Sequence, residues 1–339
     1  MLLPAGAMLP TKELETIGGT MLRKLAILAM AYAALVTQAA AQGGAPFRIL
    51  VGVQAGASTD TIARLLADKL RVSLNETVIV ENKTGAAQRI AMAELLKSPA
   101  DGRTIFLGSN SVYSILPHIY GDQVGYDPFK DATPISRVVA FQVGIGAGNQ
   151  LNIGNIKEFT AWAKANPGTV SFASPGAGTS SHFTGVMLSK ALGIPMTHVP
   201  YRGTAPAMAD LIGGHIPLLF TAYSDLPEPA RAGKLKILAT AGPKRSPATP
   251  DTPTLKEQGV DIAFDSAFDM HARAGTPPEA IKRLNEAIVA AINDPEVNAK
   301  LVTLGVQPVG GTPEELLKAQ QAEYKLWEGP VRDSGYKGD

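Results

Sequence analysis

Two stretches of this chain concentrate small hydrogen-bond donors where an apolar run gives way to an amphipathic one. The first is Val53-Gln54-Ala55-Gly56-Ala57-Ser58-Thr59-Asp60. Backbone N–H groups at a helix start lack intrahelical acceptors and lie at the positive end of the helix dipole, so with two hydroxyls beside them they suit an anion. An ordinary capped turn has the same composition. The second, Ser174-Pro175-Gly176-Ala177-Gly178-Thr179-Ser180-Ser181-His182, repeats that chemistry. Two such loops facing each other across a cleft would clamp a carboxylate with N–H and O–H donors and need no arginine.

Other chemistries find less support. Gly144-Ile145-Gly146-Ala147-Gly148 imitates part of a dinucleotide fingerprint, but no helix pattern opens after it. No Gly-x-Ser-x-Gly elbow occurs, so serine hydrolysis is unsupported. His118, His182, His198, His215 and His271 are far apart and form no ligand-spaced pair, which reads as structural or surface use. Cysteine is absent, excluding disulfides, thiolate catalysis and Cys-held metals. Tyr201 and Arg202 follow Val199-Pro200; solvation is the plainer reading for the pair, a ring and a charge at a cleft edge the sharper one. No cofactor, metal or catalytic group is expected.

The elements that must position these loops alternate short β-branched runs with amphipathic segments, the pattern of α/β layering with mainly parallel strands. Strands are expected at 48–53, 77–81, 104–108, 138–145, 169–173, 216–220 and 235–240. Helices are expected near 61–74, 92–97, 156–165, 183–192, 206–212 and 225–232. In the first, Ile62, Leu65, Leu66 and Leu70 share a face, with Ser58, Thr59 or Asp60 as the cap. Thr276-Pro277-Pro278-Glu279 and Thr312-Pro313-Glu314-Glu315 both read as capping boxes opening late helices.

The 339 residues leave room for two lobes, and no flexible linker separates them, so strands would have to join them. With 45% hydrophobic and 18% charged residues, a soluble folded protein is expected. Met21 to Gln42 reads as a secretory signal: Arg23 and Lys24, a short apolar run, then Ala39-Ala40-Ala41. The run is too short for a bilayer-spanning helix, which needs about 20 residues, and cleavage after Ala41 is expected, with Met21 the preferred start. The remaining 298 residues carry 28 cations and 28 anions. That neutrality gives no field for nucleic acid or anionic lipid.

The ordered motifs then resemble one family along nearly the whole mature chain. They are Ala55-Gly56-Ala57-Ser58-Thr59-Asp60 before Ala63-Arg64, Val80-Glu81-Asn82-Lys83 with Gly85, and Ala100-Asp101-Gly102 with Thr104. Further on come Ser174, Gly176, Gly178, Thr179 and His182, then Val199-Pro200-Tyr201-Arg202-Gly203 with Pro206-Ala207 and Asp210-Leu211. Pro253-Thr254 with Glu257-Gln258-Gly259, and Gly275-Thr276-Pro277, complete the series. The set is similar to the extracytoplasmic solute receptors of tripartite tricarboxylate transporters, the Bug or TctC family.

The resemblance implies a two-lobed Venus-flytrap α/β fold with two crossing strands, closing on a small carboxylate without chemistry on it. It implies lobes at 42–144 plus 268–339 and at 145–267, after a leader at 1–41. It places the ligand against Ala57, Ser58, Thr59, Asp60, Gly178, Thr179 and Ser180, with Ser109, Tyr201 and Arg202 as further contacts. It also implies a periplasmic monomer with a large and a small integral membrane subunit as partners. A sensor feeding a membrane kinase is the alternative within this fold, and a secreted enzyme the alternative outside it. The chain departs from the family pattern in three places. Gln54 and Gly56-Ala57 stand where the family commonly has Pro and a Gly pair, and Ala57 cannot take positive φ freely. Gly85-Ala86-Ala87-Gln88-Arg89 replaces a glycine-rich stretch, and Phe268-Asp269-Met270-His271 stands where a tryptophan is common.

Overall fold

A computed structural model describes residues 45–168, 170–245 and 250–338. The leader and its signal lie outside these residues. Two sheets organise the chain. The first has the order β11-β4-β10-β3-β1-β2, built from β1 (Phe47–Val51), β2 (Val78–Asn82), β3 (Thr104–Ser109), β4 (Ala132–Phe141), β10 (Ser266–Arg273) and β11 (Gln307–Gly310). The second has the order β7-β6-β8-β5-β9, built from β5 (Val143–Gly148), β6 (Ser171–Ser174), β7 (Thr197–Pro200), β8 (Leu218–Ala222) and β9 (Leu235–Thr240).

The expected strand 138–145 is two strands. Its apolar run is continuous, but Gln142 interrupts the pairing: Phe141 is registered with Ser266 in the first sheet and Val143 with Ala222 in the second. Gln142 is buried, donates its side-chain amide to the Lys244 carbonyl at 2.8 Å and accepts the Tyr223 N–H at 2.8 Å. A residue able to satisfy a corner lets the chain change sheets there. β7, β10 and β11 carry no sequence expectation above.

That corner fixes which edges meet. β1, β2 and β3 are parallel, and β4 shares their direction because both β3 and β4 lie antiparallel to β10. The end of β4 at Phe141 therefore marks the carboxyl edge of the first sheet. β5 starts after one intervening residue, beside the end of β8, which runs parallel to β6 and β7. The carboxyl edges of the two sheets consequently face each other across Gln142, and β10 begins at the same place.

Helices cover both sheets. α1 (Ser58–Leu74) buries Ile62, Ala63, Leu66, Ala67 and Leu70, joined in one core by α6 (Pro278–Asn293) and α7 (Pro295–Thr303). α2 (Arg89–Lys97) packs Ala91, Met92 and Leu95 on the opposite face with Leu50, Phe106 and Tyr113. In the second sheet, α3 (Ile156–Ala165) and α4 (Ser180–Leu192) enclose Phe159, Phe172, Phe183 and Phe220. α5 (Thr204–Ile212) covers its other face. The last helix, α8 (Pro313–Ser334), packs on β4 and ends with Trp327 and Val331 inside the second core.

Of the two expected capping boxes, one forms. Thr312 Oγ1 accepts the Glu315 N–H at 3.2 Å and Glu315 Oε2 accepts the Thr312 N–H at 2.8 Å. Thr276 instead donates to the Arg273 carbonyl at 2.7 Å, and Pro277 precedes α6 without a side-chain cap. The Thr276 N–H that the reciprocal bond needs also goes to the Arg273 carbonyl, at 3.3 Å.

Candidate functional site

The first small-residue loop leaves β1 and enters α1. Its N-cap is Ala57, extended at φ −71° and ψ 159° with no side-chain cap bond, rather than Ser58, Thr59 or Asp60. Positive φ falls on Gly56 (84°), so Ala57 is unstrained. Asp60 reaches back from the first turn. Its Oδ2 accepts the Gly56 N–H at 2.8 Å and Arg64 Nε at 3.0 Å; its Oδ1 accepts Arg64 Nη2 and Asn82 Nδ2, each at 2.9 Å. Asn82 also donates to the Val53 carbonyl at 3.0 Å, tying the loop to the end of β2.

Burial alone would raise the Asp60 pKa, but Arg64, the Gly56 N–H and Asn82 together hold it below the usual carboxylate range. Its charge is thus spent inside the loop, and the N–H groups at the start of α1, which no side chain caps, lie at the dipole's positive end. Asp60→Ala is expected to cost about 2–3 kcal/mol of stability, because it removes charge-assisted bonds from a residue only 2% exposed. Chemical denaturation measures this, and an unchanged midpoint would mean the loop holds itself without Asp60.

The second loop leaves β6 and enters α4. Thr179 is its N-cap: Oγ1 accepts the His182 N–H at 3.2 Å and donates to the Gly176 carbonyl at 2.8 Å. The hydroxyl proton expected to face a ligand is therefore committed within the loop. Gly178 takes φ 78° and is packed so that a Cβ would lie 3.0 Å from Leu116. The buried Ser180 Oγ accepts the Ser266 hydroxyl at 2.7 Å, joining the loop to the start of β10.

Beneath this loop two imidazoles stack, His182 on His198, with ring centroids 3.8 Å apart. His182 Nδ1 accepts the Gly178 N–H at 3.3 Å, and His198 Nε2 pairs with Ser174 Oγ at 2.8 Å. Ser174 passes its proton to the Gly176 carbonyl at 2.9 Å, so His198 Nε2 carries hydrogen and donates. Burial lowers the pKa of His182 to about 3 and of His198 to about 4, keeping both neutral. Ser174 is fully buried, which makes this Ser–His pair a brace rather than a nucleophile.

The remaining expected contacts lie on the same two edges. Ser109 ends β3; its Oγ pairs with Ser111 Oγ at 2.9 Å, and its N–H donates to Gln88 Oε1 at 3.2 Å. Tyr201 follows β7, donates its N–H to the Ser174 carbonyl at 3.0 Å and its hydroxyl to Asp210 Oδ2. Arg202 is exposed. Three residues carry no expectation from motif reading: Gln88, Ser266 and Asp225. Asp225 follows β8, where Oδ2 accepts Thr221 at 2.6 Å and Thr204 at 3.0 Å, and burial raises its pKa despite those bonds. Ser266 and Asp225 lie at strand ends and Gln88 reaches one through its bond to the Ser109 N–H, a placement visible only once the strands are known.

Gly144 to Gly148 are strand β5, not a phosphate loop. A Cβ on Gly144 would lie 2.7 Å from Leu226, which explains the small residue there. Among the described residues no His, Asp and Glu grouping could hold a metal ion, and no helix is long and apolar enough to cross a membrane.

Comparison with known proteins agrees with this architecture. Residues 62–335 match the model of the tripartite tricarboxylate transporter family receptor. A UPF0065 protein from the gbd 5' region of Cupriavidus necator is 36% identical over 267 residues, 78% of this chain and 79% of that one. The periplasmic binding protein BugD superposes with a TM-score of 0.79 at 33% identity, covering 87% of this chain and 99% of its own. An R. palustris protein solved with adipate superposes at 0.81 and 27% identity, covering 86% of this chain and 98% of its own.

Proposed function

The chain belongs to the tripartite tricarboxylate transporter receptor family, and on that premise we propose that it captures a small organic carboxylate between its two sheets for a large and a small integral membrane subunit. The observation that carries this reading is the opposition of two carboxyl edges, each leading into a helix whose first N–H groups lie beside hydroxyls. The adipate held by the R. palustris relative supports the same ligand class.

In this proposal the ligand carboxylate meets the N–H groups of Ser58, Thr59 and Ser180, within the spans Ala57–Asp60 and Gly178–Ser180, with Ser109, Tyr201 and Arg202 at the rim. Asp60 and Thr179 act by shaping their loops. The moving bodies are 42–144 with 268–339 and 145–267, hinged at Gln142 and at the start of β10. Ligand favours the closed form because only that form satisfies its donors from both edges. The protein works as a periplasmic monomer after cleavage of the signal in 21–41; no chemistry is performed on the ligand.

A thermal-shift screen of mono-, di- and tricarboxylates against neutral and cationic solutes tests this, since a solute bound by the folded state raises its melting point. A rise confined to carboxylates supports the reading; one confined to neutral or cationic solutes refutes it. Thr179→Ala is expected to lower stability by about 0.5–2 kcal/mol, the value of a lost N-cap, and to weaken binding in parallel as the loop loosens. Melting and calorimetry on the variant read both effects. Full-strength binding with normal melting would remove Thr179 from the site.

A further inference from the structure

The first sheet has a topological switch point between β1 and β3. These neighbours are parallel, yet the chain leaves them on opposite faces: α1 packs with Phe47, Ile49 and Val51, while the short helix after β3 packs Val112 and Tyr113 with Leu50 and Phe106. In open α/β sheets the crevice outside such strand ends is where ligands bind. Here two residues at the crevice offer no side chains of their own, Gly52 just after β1 and Gly108 next to last in β3.

What fills the crevice is Gln88. A Cβ placed on Gly52 would come within 2.5 Å of Gln88 Cβ and 2.6 Å of its Cγ, and one on Gly108 within 2.9 Å of its Oε1. The same Oε1 accepts the Ser109 N–H at 3.2 Å, so a side-chain oxygen holds the strand-end donor. Among the described residues Nε2 has no protein acceptor at bonding distance, and its two protons remain for an occupant of the crevice.

The backbone that delivers Gln88 is costly. Ala86, Ala87 and Gln88 all take positive φ, at 46°, 51° and 73°, a run in which only glycine is free of strain. Such strain persists where surrounding contacts hold it, and it concentrates at ligand clamps and active sites.

We propose that Gln88 sets the specificity of the carboxylate site: its side chain shortens the crevice at the switch point, and its Nε2 donates to an acceptor oxygen of a short dicarboxylate. The proposal rests on the carboxylate reading above and names the size class within it. Gln88→Gly removes the side chain and is compatible with φ 73°. Gln88→Asn keeps the amide one methylene shorter and tolerates the left-handed region. Gln88→Glu keeps an acceptor for Ser109 but turns a negative charge toward the ligand.

Titration calorimetry of the intact protein with straight-chain dicarboxylates from malonate to suberate, with melting as the folding control, tests this. The unsubstituted protein should favour the shorter acids. Gln88→Gly should move the preference toward the longer ones by about tenfold or more, with an unlowered melting point. Gln88→Glu should weaken every dianion by at least about tenfold, and Gln88→Asn should fall between the unsubstituted protein and Gln88→Gly. An unchanged order of preference across the three variants overturns the role of Gln88 while leaving the carboxylate reading intact. If only neutral solutes bind and Gln88→Gly still shifts their size order, the carboxylate reading falls and the size-setting role stands.

Discussion

Arg137→Ala is expected to destabilise the protein by about 3–5 kcal/mol, the cost of leaving a buried carboxylate without its counter-charge. Arg137 on β4 makes a two-pronged bond to Asp269 on β10, with Nε to Oδ1 at 2.8 Å and Nη2 to Oδ2 at 3.0 Å. Its Nη2 also meets Glu323 on α8 at 2.8 Å, and Asn110 donates to the other Glu323 oxygen at 2.9 Å. Asp269 is wholly buried and Arg137 is 17% exposed, so solvent screens this triad little. Removing the guanidinium strands the Asp269 carboxylate and takes a donor from Glu323 where three elements meet. Replacing Arg137 and Asp269 together with leucine removes the charges as a pair, which experience with buried ion pairs places near neutral. Denaturant titration of the single and double variants reads the difference, and a double variant as unstable as Arg137→Ala would contradict this account.

A second large effect is loss of stability on mild acidification. Burial lowers the pKa of His271 to about 4, as it does for His198, while His182 falls to about 3, against an ordinary histidine value near 6.5. A histidine with a depressed folded pKa contributes stability above its unfolded value and loses it as pH falls through the folded one. Glu323 opposes this. Burial pushes its pKa up to about 7, so its folded form keeps a proton that the unfolded chain releases above about 4.5. That contribution is present in acid and is lost as pH rises through 7. Near pH 5 the unfolded state binds roughly two more protons than the folded state, three from histidines less one for Glu323. The slope expected from these four groups is therefore about 3 kcal/mol per pH unit near pH 5, and shallower toward pH 6.5 and pH 4. Melting curves across that window test it. Glu323→Gln, which removes the opposing group, should steepen the slope, and a flat profile from pH 7 to 5 would mean these histidines titrate freely.

Much of the site was legible in the sequence because its chemistry is local. Small donors between a β-branched run and an amphipathic one identify a strand-to-helix loop, and both expected loops occupy such turns. The cap positions were less legible, since Ser58, Thr59 and Asp60 all suit the role, and the choice of Ala57 follows from Asp60 being held against Gly56 by Arg64 one turn on and Asn82 on β2. The strand 138–145 read as unbroken because hydrophobicity continues through the corner that only Gln142 marks. β10 escaped because Asp269, His271 and Arg273 break an apolar pattern, although Ser266, Phe268, Met270 and Ala272 alternate with them at strand spacing. The Asp269 charge is met by Arg137 on β4 and Arg273 donates to the Ser98 carbonyl, partners that lie far away in the chain. Gln88 was noticed as a departure, but its position at the switch point depends on a left-handed run that no propensity predicts.

The interleaving of the first sheet has a consequence for how the chain is born. β5 to β9 form one contiguous stretch, 143–240, whose pairings close as soon as that stretch is available. The first sheet has to wait, because β10 is inserted between β3 and β4 and β11 flanks β4, so its middle stays open until more than a hundred further residues arrive. Loops of that length slow closure, and an unfilled strand slot is an adhesive edge. The final helix compounds the delay, since Trp327 and Val331 belong to a core assembled from residues well before them. A nascent chain of this protein thus carries an open first sheet from the end of β4 until β10 arrives, and holding that open edge away from other chains is a task for whatever escorts it.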